Sequence, residues 1–310
     1  LQMLATAFAA FLLTYVESYP MFIVAALGIG LAGGSFAVGI AYISSWYQKE
    51  RQGTALGIFG VGNVGAAITN FGAPFLLIAF AGEWQGVVRV YAAVMLISAI
   101  LFFLFSKNDP ALEERRVKNI RKQSFAEQLE PLKNIQVWRF SLYYFFVFGA
   151  FVALALWLPR YLIGVYGFDI KTAGIVAAFF AVPASLFRAY GGHLSDKYGA
   201  RAVMYWTLGV TLVATFMLSY PQTDYIIHGI EGPIRFSTSM GIVPFVILIF
   251  VLGFFMSLGK AAVYKHIPVY YPGNVGSVGG LVGMIGGLGG FFLPIAFGIM
   301  NDLTGVWTSC

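Results

Sequence analysis

From Gly53 to Phe80, 28 consecutive residues include no Asp, Glu, Lys or Arg. Thr172 to Phe187, Gly241 to Gly259 and Val275 to Met300 are likewise uncharged. About 20 apolar residues in a helix cross the hydrocarbon core of a bilayer, so each stretch is a span or close to one. Only 10% of the 310 residues are charged and 59% are hydrophobic. A soluble domain carries about 25% charge, and a chain this apolar has too little polar surface to face water. The reading is an all-α, polytopic membrane protein. Strand-sized alternation of the outer-membrane barrel kind is absent from this reading.

Nine spans are expected, near 1–16, 20–46, 53–80, 86–106, 138–160, 171–192, 202–220, 241–265 and 275–300. They divide into an N-terminal bundle (1–106), a polar central loop (107–137) and a C-terminal bundle (138–310). The loop carries Lys107, Arg115, Arg116, Lys118, Arg121, Lys122 and Lys133 against Asp109, Glu113, Glu114, Glu127 and Glu130. Such a run is read as a solvated loop with some amphipathic helix. Alternate connections hold Lys49 and Arg51, then this loop, then Lys197 and Arg201, then Lys265. The other set holds Arg160, Lys171 and Arg235, with Arg89 at a span edge. Cytoplasmic loops are enriched in Lys and Arg, which places the first set and the central loop inside. The net charge of +6 thus reports topology, and no nucleic-acid partner is expected.

Gly60 to Gly65 reads G-V-G-N-V-G, the spelling of a dinucleotide-binding turn, with Glu83 near the expected acidic position. That turn needs a strand before it and access to phosphate, and neither exists inside an uncharged span. Small residues four apart make a thin helix face for close helix packing. Gly57, Gly60, Gly62 and Gly65 are read this way, as are Gly280, Gly283, Gly286, Gly287 and Gly290. A shift of 223 positions carries Gly53, Gly57 and Gly60 onto Gly276, Gly280 and Gly283, the mark of a parallel repeat. No cofactor or metal site is expected: Cys310 is the one cysteine, and His193, His228 and His266 are scattered.

Every acidic residue falls in a loop or at a span edge, whereas two cations, Arg188 and Lys260, lie inside spans. An arginine at a helix centre costs about 2.5–3.5 kcal/mol on insertion scales and marks a substrate path. A buried cation without a protein anion calls for an anionic ligand, which argues against a cation exporter. Arg188 lies seven residues before Ser195, so roughly 10 Å in from the turn. Asn63 is a polar side chain near the centre of its span, and Tyr144 and Phe148 share a helix face.

The stretch GGHLSDKYGAR, Gly191 to Arg201, resembles the G-x-L-x-D-[RK]-x-G-x-[RK] loop of the major facilitator superfamily. Gly192, Leu194, Asp196, Lys197, Gly199 and Arg201 match it and are expected to form a cytoplasmic gating loop. AGGSFAVGIAYISSWYQKERQGTALGIFGVGNVGAA and GSVGGLVGMIGGLGGFFLP resemble the two signature regions of its nitrate/nitrite porter family. FRAYGGHLSDKYG resembles that family's arginine-bearing helix and loop. The resemblance implies a twelve-helix transporter, of which this chain would hold helices three to eleven. It implies that Arg188 binds nitrate together with a second arginine on helix two. It also implies that the Asn63 amide donates to the anion, and that Tyr144, Phe148 and Phe36 lie above and below it.

The expected function is movement of nitrate or nitrite across the cytoplasmic membrane by alternating access, as a monomer. Nitrate/nitrite exchange and proton-coupled uptake both fit. Lys260 is expected either to couple transport to protons or to partner a carbonyl or lipid phosphate near the inner face. The alternatives are transport of another small anion or organic acid on the same fold, and a non-transporting sensor or scaffold.

Overall fold

The computed structural model describes residues 1–107 and 124–310. Arg115, Arg116, Lys118, Arg121, Lys122, Asp109, Glu113 and Glu114 of the central loop lie outside these residues. The described chain is almost wholly helical. α1 is Gln2–Leu13, α2 Tyr19–Trp46, and α3 runs through Gln52–Gly60, a 3₁₀ turn at Val61–Val64, and Gly65–Ala79. α4 is Trp84–Phe105, α5 the short Phe125–Leu129, and α6 Ile135–Tyr166. α7 (Ile170–Tyr198), α8 (Ala200–Leu218), α9 (Ile242–Tyr270) and α10 (Val275–Thr304) complete the set.

Among the described residues seven helices are long and apolar enough to cross a membrane, or eight with the bent α3 counted as one. The ninth expected span is the departure. α1 has 12 residues, about 18 Å at the helical rise, against a hydrocarbon core of about 30 Å. The 42° bend in α3 lies between Gln52–Thr69 and Phe71–Ala79. Pro74 causes it, because proline has no N–H for the carbonyl four residues back. Within the expected central loop, Ser124 and Glu127 form a reciprocal capping box that starts α5. α6 then begins at Ile135, earlier than expected, because Asn134 caps it by accepting from the Gln136 amide.

One element outside the spans is not helical. β1 (Thr223–Gly229) and β2 (Gly232–Thr238) form an antiparallel hairpin between α8 and α9. Tyr225 stands opposite Phe236 and Ile227 opposite Ile234, over seven residues a strand. Its turn needs Gly232, whose φ is +134°.

The helices before residue 107 meet those after 124 along two glycine-lined seams. The Gln52–Gly60 part of α3 packs on the second half of α7, and α10 packs on the second half of α2 and on α6. Where these helices cross α9, Ile40, Leu56, Phe140, Tyr144, Val147, Tyr264 and Val282 close into a core. Outward faces such as Phe102, Phe103 and Phe105 of α4 stay exposed, as suits a lipid-facing helix.

Candidate functional site

The site begins at a break in α7. Its first part ends at Leu186 and its second starts at Arg188, with Phe187 between them. Pro183 lies one turn before the break and removes a backbone donor there. Arg188 is 1% exposed and is the largest fully buried side chain among the described residues.

Glycine and aromatic rings wall it in. A β-carbon at Gly60 would run into Nε, Cδ and Cζ of Arg188, and one at Gly57 would lie 2.6 Å from the Arg188 carbonyl oxygen. Real β-carbons do not approach so closely, so only glycine leaves the arginine this position. The guanidinium carbon stands 4.9 Å from the Phe36 ring centroid and 5.7 Å from that of Tyr264. Phe36 lies parallel to Phe148 at 6.4 Å and stacks on Phe59 at 5.3 Å. Phe148 stacks on Tyr144 at 4.8 Å, and Tyr144 meets Tyr264 edge-on at 4.8 Å.

The second glycine helix seats the tyrosines. A β-carbon at Gly283 would lie 2.9 Å from the Tyr264 hydroxyl, and one at Gly286 2.5 Å from Cδ1 of Tyr144. Gly60 and Gly283 are equivalent under the 223-residue shift. One makes room for Arg188 and the other for the tyrosine whose ring backs it.

Hydrogen-bonding capacity is left over. Arg188 Nε and Nη1, the Tyr144 hydroxyl and Asn63 Nδ2 are buried and have no partner. Buried donors almost always find one, so this group is poised for something else. Among the described residues every acidic side chain but Asp196 is exposed, and Asp196 is paired elsewhere. A planar fork of donors with aromatic faces and no carboxylate suits a small, flat, singly charged oxyanion.

Asp196 closes one end of the molecule. Its carboxylate accepts from the Gly53 amide at 3.1 Å, the Thr54 amide at 2.8 Å and the Thr54 hydroxyl at 2.8 Å. These belong to the first turn of α3, whose own flanking residue, Arg51, supplies no side-chain cap. An acid from α7 thus caps a helix more than 140 residues earlier in the chain, where the dipole favours negative charge. Lys265 of α9 pairs with Asp196 at 2.6 Å and also donates to the Lys49 carbonyl. Gly192 lets the backbones touch, since a β-carbon there would strike Gly53.

The predicted residues divide accordingly. Arg188, Phe36, Tyr144 and Phe148 come together. Asn63 sits in the 3₁₀ turn of α3, one helical turn from Gly60. Of the expected gating loop, Gly192 and Asp196 reach α3, whereas Lys197 lies over the Tyr198 ring and Arg201 donates to the Tyr205 hydroxyl. Gly199 turns the chain between α7 and α8 with φ +86°. Gly290 faces Val152 and Gly280 faces Ala37, but nothing lies within 4 Å of a β-carbon at Gly62, Gly65 or Gly287. The packing role read for those three has no contact behind it. Lys260 is fully buried, and its ammonium has neither the carbonyl nor the interfacial surroundings expected of it. Sequence reading missed Tyr264 and Phe59. Tyr264 was detectable four residues after Lys260, on the same face of α9; Phe59 carried no such signal.

The family model described as Major Facilitator Superfamily matches residues 1–242. The chain belongs to the major facilitator superfamily. Its relatives place this facilitator among the nitrate/nitrite porters. A Thermus thermophilus protein named "Probable nitrate/nitrite antiporter NarK1" is 42% identical, over 99% of this chain and 70% of its own length. A Bacillus subtilis (strain 168) "Nitrite extrusion protein" is 31% identical, over 96% of this chain and 69% of its own. Among solved facilitators, FucP in the outward conformation aligns with a TM-score of 0.67 at 18% identity, over 99% of this chain and 77% of that one. The human organic anion transporter MFSD10 aligns at 0.68 and 12%, over 99% and 72%. At these identities the solved structures speak to the fold alone.

Proposed function

We propose that this facilitator moves nitrate and nitrite across the membrane by alternating access, with Arg188 as the anion contact. It is a transport protein, not an enzyme. The observation that carries the anion contact is Arg188 itself, a buried guanidinium with unspent donors between aromatic faces and no carboxylate among the described residues to answer it. The relatives' names, antiporter and nitrite extrusion protein, support the substrate pair and exchange as the mode.

In this reading α1–α4 and α6–α10 are two bundles that rock about the Arg188 level. The end closed by Asp196 gathers Lys49, Lys197 and Lys265, and we place it, with the central loop, at the cytoplasm of the cell's inner membrane. Asp196, Gly53 and Thr54 then form the inner gate. Phe36 and Phe148 form the faces of the anion slot, and Tyr144 and Asn63 supply donors at its rim.

The test is competition. In proteoliposomes loaded with nitrite, labelled nitrate should enter, and external nitrate and nitrite should compete while formate, acetate and chloride should not. Equal competition by acetate would transfer the site to carboxylic acids. Exchange that carries no proton would support the antiport mode over proton-coupled uptake.

A further inference from the structure

Lys260 is the second cation inside the spans, and nothing so far employs it. Its side chain is 0% exposed, and Nζ has no hydrogen-bond partner. What it touches is a ring: Nζ stands 3.5 Å from the Phe151 centroid. Arg188 is near enough to act on it as a like charge, and Tyr264 follows it one turn along α9. None of these neighbours is an anion. A desolvated cation–π contact returns less than burying an unpaired ion costs. The ring alone does not hold an ammonium here.

A second orphan points the same way. Ser257, three residues earlier on α9 and so on the same face, is fully buried, and its hydroxyl also lacks a partner. An ammonium and a hydroxyl side by side, both unspent, make a donor pair for an oxyanion. Their level differs from that of Arg188. The Tyr264 ring backs Arg188, and Lys260 lies about 6 Å further along α9 at the helical rise, away from the Asp196–Lys265 pair. A singly charged anion on Arg188 leaves Lys260 uncompensated.

We propose that Lys260 and Ser257 form a second small-oxyanion position one helical turn from Arg188, so that the transporter holds two monovalent anions at once. The inference rests on the nitrate/nitrite reading and adds a stoichiometry to it. The incoming ion occupies one cation while its predecessor still occupies the other, and repulsion between the two weakens the hold on each. Strong cationic sites are thereby reconciled with release.

The test is equilibrium dialysis of the intact purified protein against ¹⁵N-labelled nitrate. Wild type should bind two nitrates, Lys260→Met one, and Lys260→Arg two. Ser257→Ala should keep two but weaken one of them about tenfold or more, the loss of a single hydrogen bond to a charged group. Should Lys260→Met aggregate on size exclusion, Lys260→Arg and Ser257→Ala carry the measurement. One nitrate in wild type, lost in Arg188→Gln and unchanged in Ser257→Ala, would overturn the second position and leave the transport reading standing. Wild type that binds neither nitrate nor nitrite would overturn both. Lys260→Met that still binds two nitrates but loses only the pH dependence of uptake would make Lys260 a proton carrier, and the second position would fall.

Discussion

Gly60 touches the side chain of Arg188 so closely that a β-carbon there would overlap the guanidinium where it stands. A glycine on α3 therefore sets where an arginine on α7 can be, although the two lie 128 residues apart in the chain. Gly60→Ala is expected to push the guanidinium off its aromatic faces. Nitrate uptake should fall by more than about tenfold, roughly 1.4 kcal/mol of transition-state or binding free energy. Gly62→Ala and Gly65→Ala, which meet nothing within 4 Å, should transport as wild type. Equal loss in all three would make the effect one of helix propensity and not of contact.

Asn63 offers a buried amide N–H with no partner. If that donor goes to the anion, Asn63→Ala should raise the nitrate KM roughly ten- to a hundredfold, the worth of one hydrogen bond to a charged group. Asn63→Asp should do more harm than Asn63→Ala, because it puts like charge beside the substrate. Uptake kinetics on reconstituted variants check both. A milder effect from Asn63→Asp would place the residue outside the slot.

Asp196 holds two amides and a hydroxyl of α3 while paired with Lys265. Asp196→Asn keeps an acceptor oxygen but loses the ion pair and the match to the helix dipole. The closed end should open more often. A cysteine placed at Ala55, in a protein whose Cys310 is replaced by Ser, should then react faster with a maleimide from the cytoplasmic side. An unchanged labelling rate would show that the end is held shut by other contacts.

Tyr144 combines a stacked ring with an unpartnered hydroxyl. Tyr144→Phe keeps the ring and removes the donor, so its effect isolates the hydroxyl and should be a KM increase of about tenfold or more. Tyr144→Ala also removes the stack on Phe148 and leaves Gly286 without its neighbour. It is expected to lower the thermal midpoint as well, read by fluorescence-detected size exclusion across a temperature series.

Outside the membrane, Asp169 accepts from the Lys171 and Thr172 amides and from the Thr172 hydroxyl at the start of α7. The Thr172 hydroxyl, first among these bonds, holds the carboxyl below its ordinary value. A carboxylate held low stabilises the fold above its unfolded value and loses that contribution as pH falls through the folded one. The thermal midpoints of wild type and Asp169→Asn should therefore differ at neutral pH and converge in acid. Curves that stay parallel down to pH 3 or so would show that the cap contributes nothing through its charge.

Much of this was legible from single letters. Charge-free runs gave the helices, because a bilayer leaves no other use for 28 uncharged residues. The glycine spacing gave the seams, and two cations among acid-free spans gave the anion. What was not legible came from geometry that sequence does not encode locally. Tyr264 and Phe59 join the site only because α9 and α3 cross α7 at one level. Asp196 was readable as part of a loop motif, but not as the cap of a helix more than 140 residues earlier in the chain. The hairpin at 223–238 was not anticipated because it is short and lies between two strongly helical runs. The stretch expected as a span at 1–16 forms a helix of 12 residues, so nine spans are not counted among the described residues.

The most direct test of the central claim is nitrate uptake by Arg188→Lys in proteoliposomes, with correct folding verified by size exclusion. Lysine keeps the charge but loses the planar pair of donors, and it is the more strongly hydrated cation to bury between Phe36 and Tyr264. Uptake is predicted to fall to the level of empty vesicles. Uptake at the wild-type rate would contradict the assignment of Arg188 as the anion contact.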